Sequence, residues 1–172
     1  MNFARNAMMS LVCVAALFAV LVTSGEAQDH AVPQKTTQQA QHAGVQYVNK
    51  DYGFRFALPD SWKDYKVVAD SWSGGDGSSN GPTEKGPIVV LRHPKWTKDR
   101  PTQDIPIMVF TMAQWKKIDN EEMSVSAAPI GPSELGRNSK YVFALPARYD
   151  FGDGDAKEEV YAILNGHPLQ PL

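Results

Sequence analysis

The segment from residue 45 to residue 66 contains the clearest strand signal in this chain, because large apolar side chains recur at every second position. These side chains are Tyr52, Phe54, Phe56 and Leu58. Successive side chains of a strand point to opposite faces, so this period places all four on one buried face. The short apolar run Val45–Val48 precedes them, and Asn49, Lys50 and Asp51 supply turn-forming residues between the two runs. The segment therefore predicts a β-hairpin that opens the folded domain.

The hairpin is followed by a strand stop and an aromatic side chain. Pro59 lacks the N–H that a strand ladder requires, so the second strand is expected to end there. Asp60 or Ser61 can then cap one short helical turn. Trp62 would pack back from that turn onto the sheet.

The motif Tyr52-Gly53-Phe54-x-Phe56-x-Leu58-Pro59-x-x-Trp62 resembles the opening of PsbP-like domains. That family is named after an extrinsic subunit of the photosynthetic oxygen-evolving complex and is widespread among exported bacterial proteins. The resemblance implies an α+β fold, an antiparallel sheet with helices on its faces. It implies neither photosystem association nor the family's metal sites, because no residues outside the motif match them.

We predict a single PsbP-like α+β domain over residues 45–172, with one antiparallel sheet of about six strands and helices packed on it. Further strands are expected where β-branched and aromatic residues cluster, at Tyr65–Trp72, Pro87–His93, Ile105–Thr111, Val125–Ile130 and Lys140–Phe151. The Gly- and Ser-rich stretch Ser71–Gly86 is interpreted as a flexible connection. The alternative is a lid or partner-contacting loop, since long loops in compact domains are often functional.

Three further helical segments are expected after the turn at Asp60. Thr111 and Gln114 have the spacing of a capping box at the start of a short helix. Ser133–Leu135 is interpreted as a single helical turn. Near the C-terminus, one face of an amphipathic helix is formed by Ala156, Val160, Ile163 and Leu164. Gly166 is placed to end that helix.

The N-terminus has the layout of a secretory signal peptide over residues 1–27. Arg5 supplies the positive start, Met8–Val22 is almost wholly apolar, and small residues precede a cleavage site near Ala27. The alternative is an uncleaved N-terminal anchor. Residues 28–44 are polar and Gln-rich, so we interpret them as a disordered linker. The mature chain is expected to be secreted or periplasmic, with no transmembrane segment.

The cysteine count and the net charge make several classes of function unlikely for this chain. Cys13 is the only cysteine and lies within the signal segment, so the mature chain is expected to lack disulfides, cysteine nucleophiles and thiolate metal sites. The formal net charge is −2, which supplies no basic excess to hold a phosphate backbone. Nucleic acid is therefore not an expected partner.

Two groups of residues are candidates for binding. Trp72 and Trp96 flank polar stretches and could be exposed anchors for a protein partner, with His93 nearby in sequence. The same histidine, with Trp96, Asp104 and the Ser71–Gly86 loop, could instead line a pocket of a small-ligand binder or hydrolase. His93 could also be merely structural.

Asp150, Asp153 and Asp155 are closely spaced carboxylates of the kind that calcium prefers. They are already accounted for as a turn followed by a helix N-terminus. Calcium binding at these residues is the alternative, and no other cofactor is expected.

Taken together, these features favour an exported, non-catalytic binding or accessory domain that acts through protein–protein contacts in the cell envelope or outside the cell. The alternatives are a secreted small-ligand binder or hydrolase with a pocket near His93, and a calcium-stabilised module.

Overall fold

Alternating and apolar segments of the sequence account for most of the regular structure in this α+β chain. The computed structural model describes residues 44–78, 81, 83–125, 130–149 and 156–172. The strands are β1 (Val45–Asn49), β2 (Phe54–Leu58), β3 (Lys66–Gly75), β4 (Thr83–Arg92), β5 (Ile105–Thr111), β6 (Ser133–Arg137), β7 (Tyr141–Leu145) and β8 (Leu169–Pro171). The helices are α1 (Met112–Asp119) and α2 (Lys157–Asn165), and Asp60–Trp62 forms a single 3-10 turn.

The strands form two antiparallel sheets rather than the single predicted sheet. One sheet has the order β1-β2-β8 and the other has the order β3-β4-β5-β7-β6. The predicted strand count was wrong for two reasons: Ser133–Leu135 begins β6 instead of forming a helical turn, and β8 follows the C-terminal helix. The expected loop Ser71–Gly86 also contributes strand residues at both of its ends, which lengthen β3 and β4.

The predicted N-terminal hairpin is confirmed. β1 pairs with β2 from Val45 opposite Leu58 to Asn49 opposite Phe54. Gly53 ends the turn with a positive φ of 71°, a conformation that glycine adopts without strain. The Asn49 side chain accepts a hydrogen bond from the Tyr52 N–H at 2.9 Å, which holds the turn closed.

β3 and β4 form a long hairpin in a region that was expected to be a flexible loop. Each strand has ten residues, and they pair without interruption from Lys66 opposite Arg92 to Gly75 opposite Thr83. Trp72 lies opposite Gly86, where an added Cβ atom would meet the indole ring at 2.4 Å. Glycine is therefore present at this position because the indole needs the space.

The five-stranded sheet has a hydrophobic core on each face. The first core joins it to the three-stranded sheet and to α2 through Phe54, Phe56, Leu58, Trp62, Val89, Leu91, Ile105, Ile107, Val109, Phe143, Val160 and Leu169. The second core lies on the α1 side and contains Trp72, Met108, Phe110, Trp115, Met123, Val142 and Ala144. β5 contributes to both cores, with alternate residues on each face.

The two helices begin or end where the sequence predicted, but not every apolar side chain of α1 is buried. The capping box at α1 is confirmed, because the Thr111 hydroxyl accepts from the Gln114 N–H and the Gln114 side chain accepts from the Thr111 N–H. Trp115 faces the core, whereas Met112 is exposed. α2 buries Val160 and ends at Gly166, as predicted.

Several predictions lie outside the described residues. These are the signal peptide at 1–27, the linker up to residue 43, part of the expected strand Val125–Ile130, and the candidate calcium ligands Asp150, Asp153 and Asp155. Among the residues that were described, no helix is both long enough and apolar enough to cross a membrane.

Candidate ligand-binding site around His93

His93 directly follows β4 and is the one buried polar side chain of the described core, with 3% of its surface exposed. The end of the strand and the 3-10 turn bring it against Trp62, whose ring meets the imidazole edge-on with a centroid distance of 5.0 Å. Trp62 therefore packs back onto the sheet as its sequence position predicted, and it forms one wall around the histidine.

Both imidazole nitrogens of His93 face a protein group. Nδ1 accepts a hydrogen bond from the Lys95 N–H at 3.1 Å, so a neutral ring carries its proton on Nε2. Nε2 lies 3.8 Å from Oε2 of Glu159, a residue of α2. The Ser61 hydroxyl donates a hydrogen bond to the other carboxylate oxygen of Glu159. The histidine, the glutamate and the serine thus form one cluster across three elements.

The environment of His93 favours its neutral form. Burial lowers the pKa of His93, because the charged imidazolium loses its hydration. The negative charge of Glu159 opposes that effect, and the positive charge of Lys95 adds to it. The net shift is downward, so the ring is uncharged near neutral pH.

A pocket of about 520 Å³ opens beside this cluster. It is lined by Ser61, His93, Lys95, Thr97, Arg100, Thr102, Ala156 and Glu159. Most of these side chains are polar or charged, and Lys95 and Arg100 bring two positive groups to it. Its volume lies within the range of small-molecule sites in proteins.

Two buried polar atoms at this site have no hydrogen-bond partner among the described residues. They are Oγ1 of Thr102, a residue of the pocket lining, and Nε1 of Trp62, whose ring contacts His93. Buried polar groups in proteins are almost always hydrogen-bonded, so the Thr102 hydroxyl, which is closed off from solvent, needs a partner. A ligand in the pocket would supply one when the side chain turns toward it. Thr102 therefore distinguishes this pocket from an ordinary surface depression.

The hydrogen bonding of this cluster differs from that of a serine hydrolase. In such enzymes a histidine nitrogen accepts the proton of the serine hydroxyl, and a carboxylate binds the other nitrogen. Here Ser61 donates to the carboxylate instead, and His93 Nδ1 accepts from a main-chain N–H. The geometry is that of a polar binding pocket with a fixed imidazole tautomer.

The predicted grouping of His93 with Trp96 and Asp104 is divided between two places. Arg92, the last residue of β4, forms an ion pair with Asp104 at 2.7 Å and lies 4.0 Å above the ring of Trp96. Asp104 raises the pKa of Arg92 by hydrogen bonding. The Tyr149 hydroxyl donates to the main-chain oxygen of Asp104. Trp96 and Asp104 thus belong to the Arg92 cluster, and neither lines the His93 pocket. The described residues of Ser71–Gly86, which were predicted to line it as well, do not.

The prediction that Trp72 is an exposed anchor was wrong. Its side chain is 4% exposed, packs on Phe110 with a centroid distance of 4.5 Å, and donates through Nε1 to the main-chain oxygen of Val109 at 3.0 Å. The polar residues around Trp72 in sequence belong to paired strands, and a strand can be polar on one face while burying its other face.

The candidate calcium ligands Asp150, Asp153 and Asp155 lie outside the described residues. Within the parts of the chain that are described, no group of three potential ligand side chains is placed to hold a metal ion.

A second, larger depression of about 760 Å³ lies between α2 and the three-stranded sheet. Its walls include Val45, Ala57, Pro59, Ala162 and Ile163, so it is more apolar than the His93 pocket. Glu159 contributes to both depressions.

Sequence reasoning missed most of the pocket residues. Ser61 was recognised only as a possible cap, and neither Glu159 nor Thr102 was singled out. A threonine that follows a proline in a polar segment carries no local signal of burial, so the role of Thr102 depends on the folded chain.

Comparisons with models of known protein families, with curated proteins and with solved structures find no match for this chain. The assignment of a function therefore depends on the geometry of the pocket.

Proposed function

We propose that this chain is an exported binding domain that holds a small polar molecule in the His93 pocket. The observation that carries the proposal concerns Thr102, a residue of the pocket lining whose buried hydroxyl has no hydrogen-bond partner among the described residues. A turn of this side chain toward the pocket would present the hydroxyl to a ligand. A ligand oxygen or nitrogen would satisfy that hydroxyl, and the gain would be specific to a polar ligand.

The charges around the pocket favour a ligand with a carboxylate or phosphate group. Lys95 is an exposed cation of the pocket lining, and Arg100 is a second one. Charge-assisted hydrogen bonds to such cations are stronger than bonds between neutral groups. His93 contributes a neutral ring of fixed tautomer, and Glu159 offers an acceptor for a ligand hydroxyl or amine.

Export and PsbP-like membership belong to the same proposal. Their support is the signal-peptide layout of residues 1–27 and the motif at Tyr52–Trp62. The two-sheet α+β fold is compatible with the α+β class that this resemblance implies. Secretion or periplasmic location would expose the pocket to small molecules of the envelope or the surroundings.

Ligand binding is tested by thermal unfolding with small anions as probes. We expect inorganic phosphate or succinate to raise the melting temperature in a concentration-dependent way, because a ligand that binds only the native state stabilises it by mass action. Glycerol at the same concentration serves as an uncharged polar probe. Which of the two anions acts at lower concentration distinguishes a phosphate site from a carboxylate site.

The decisive variant is Thr102→Val, which has nearly the same shape but lacks the hydroxyl. We expect it to abolish the anion-dependent shift while leaving the ligand-free melting temperature unchanged or slightly higher, because an unpartnered buried hydroxyl is removed. Lys95→Gln should weaken the shift, whereas Lys98→Gln, a neighbouring exposed lysine outside the lining, is the matched control. An anion effect of equal size in wild type and Thr102→Val would contradict the proposal.

Protein–protein contact is the second candidate function, and the exposed part of Trp96 favours it. Arg92 covers one region of its ring, and the side chain remains partly exposed in the loop after β4. Crosslinking in the native envelope should then capture one reproducible partner. Loss of that partner in Trp96→Ala, with Lys98→Ala as the control, would support contact at this loop, and capture unaffected by Trp96→Ala would exclude it.

A further inference from the structure

β3 is the longest edge strand among the described strands, and the described residues leave one side of its backbone largely unpaired. It stands at the end of the order β3-β4-β5-β7-β6 and pairs with β4 on its other side over all ten residues. Among the described residues, only Ser124 covers this side, at the end of the strand, where it pairs with Gly75 through two main-chain hydrogen bonds. Most of its residues are exposed, including Val67, whose side chain is 50% exposed.

The pairing at Gly75 identifies which residues of β3 have outward-pointing main-chain groups. Gly75 directs its N–H and C=O away from β4, and the β3–β4 ladder runs without a bulge. Main-chain groups alternate in direction along a strand, so those of Ser73, Ser71, Ala69 and Val67 also point outward. The Ser71 N–H agrees with this, because it donates to the side chain of its neighbour Asp70 at 2.7 Å rather than to β4.

The other described edges are shorter or interrupted. β6 carries a register shift between Glu134 and Gly136, and a bulge of this kind is a common way to protect an edge from further pairing. β1 has five residues and β8 has three. β3, by contrast, has no proline and no bulge, so it can accept another strand.

We propose that two copies of this chain pair through their β3 edges, antiparallel about Val68, and join their five-stranded sheets into one continuous sheet. In this register Lys66 of each copy lies opposite Asp70 of the other, and both are exposed. Pairing of unlike charges at directly opposite positions stabilises a sheet. Pairing centred on Val67 would place Lys66 opposite Val68, and pairing centred on Ala69 would place Lys66 opposite Trp72. Centring the pairing on Asp70 would oppose two like charges.

The same register also buries apolar surface and satisfies main-chain groups. Val67 of each copy lies opposite Ala69 of the other copy. The two residues form a hydrogen-bonded pair, because both direct their main-chain N–H and C=O outward. Val68 meets its own copy on the two-fold axis, where side chains approach closely. The contact is isologous, as expected for a two-fold dimer. It does not involve the His93 pocket and is independent of the ligand proposed there.

The register is tested by oxidative crosslinking of the protein as its cell produces it. The Cα atoms of Val68 and its copy would lie about 4.5 Å apart, within the range that a disulfide can bridge. We expect Val68→Cys to give a disulfide-linked dimer. Ser71 and its copy would lie about 20 Å apart along the strands, so the matched variant Ser71→Cys should give no dimer above the unsubstituted chain. The unsubstituted chain, whose single cysteine Cys13 lies within the predicted signal segment, is crosslinked in parallel and sets the baseline.

Charge reversal tests the same contact without crosslinking. We expect Lys66→Glu and Asp70→Lys each to raise the dimer dissociation constant roughly tenfold in sedimentation equilibrium, because each places like charges opposite at two positions. The double variant should recover dimerisation, since the opposite charges are restored with their positions exchanged. A protein that remains monomeric at all concentrations, equal crosslinking of the two cysteine variants, or charge variants with unchanged dimerisation would overturn the proposal.

Discussion

His93 is a buried titratable residue whose neighbours determine its charge. Its Nδ1 is held by the Lys95 N–H, and its Nε2 faces Glu159. Burial lowers its pKa, so the folded chain resists protonation of this ring more strongly than the unfolded chain does. The consequence is a link between pH and stability that can be assigned to one side chain.

We expect the free energy of unfolding to fall as the pH drops below about 6.5, the ordinary pKa of histidine in the unfolded chain. In that range the unfolded state binds a proton that the native state refuses, so the contribution of His93 is complete above this pH and is lost below it. Urea unfolding of wild type and His93→Asn between about pH 8 and pH 5 measures the effect. The asparagine keeps an acceptor for the Lys95 N–H but does not titrate. Identical pH dependence in the two proteins would contradict the assignment.

At single positions, the sequence predicted burial only where local geometry decides it, and it did not predict which residues come into contact. Trp62 was placed correctly, because the turn after Pro59 leaves it one direction in which to pack. Trp72 was not, because its burial depends on Gly86 in the paired strand. Glu159 reaches His93 only through the packing of α2 near the 3-10 turn, and no local pattern encodes that contact.

Among the secondary-structure elements, the β3–β4 hairpin depends on a large side chain, Trp72, that fills the space left by a glycine, Gly86, on the paired strand. Trp72 occupies the space over Gly86, and its Nε1 is hydrogen-bonded to Val109 in β5. An added Cβ at residue 86 would lie 2.4 Å from indole atoms that are held in place. Any side chain larger than that of glycine at residue 86 is therefore expected to destabilise the hairpin.

We expect Gly86→Ala to destabilise the protein by about 1–3 kcal/mol, the usual cost of overpacking a filled core. In a Trp72→Leu background the same change should cost much less, because the ring atoms that it meets are gone. Urea unfolding of the two single variants and the double variant gives the coupling energy, and Ser73→Ala in the exposed part of β3 is the control. Strictly additive free energies would show that the glycine is present for another reason.

Elements with strong local signals were predicted, and elements defined by pairing were not. The N-terminal hairpin, the capping box of α1 and the end of α2 at Gly166 each depend on residues close in sequence. β6 begins at Ser133, a stretch interpreted as a helical turn, because a short polar segment becomes a strand only by pairing with β7. β8 has three residues and exists through its ladder with β2.

Over the whole folded domain, stability depends on contact between the two sheets. Phe54 of β2 and Phe143 of β7 belong to different sheets, are both fully buried, and have ring centroids 4.6 Å apart. Neither sheet can bury its inner face alone, so the two are expected to unfold together. The α+β class was predictable from the sequence, whereas the division into two sheets required knowledge of which strands pair.

We expect Phe54→Leu and Phe143→Leu each to lower the free energy of unfolding by roughly 1–3 kcal/mol, and the double variant to lose less than the sum, because both remove the same contact. Tryptophan fluorescence and far-UV circular dichroism should report one coincident urea transition in all of these proteins. Ala113→Ser on the exposed side of α1 is a control away from this core. Two separate transitions would mean that the sheets are independent folding units.

The alternation of β5 between the two cores has a consequence for how this protein can diverge. Ile105, Ile107 and Val109 serve one core, and Met108 and Phe110 serve the other. Gain or loss of a single residue within β5 would exchange the two sets and spoil both cores at once. Over evolutionary time its side chains can be replaced by others of similar volume, but its length is fixed, and insertions are expected to accumulate in the turns instead.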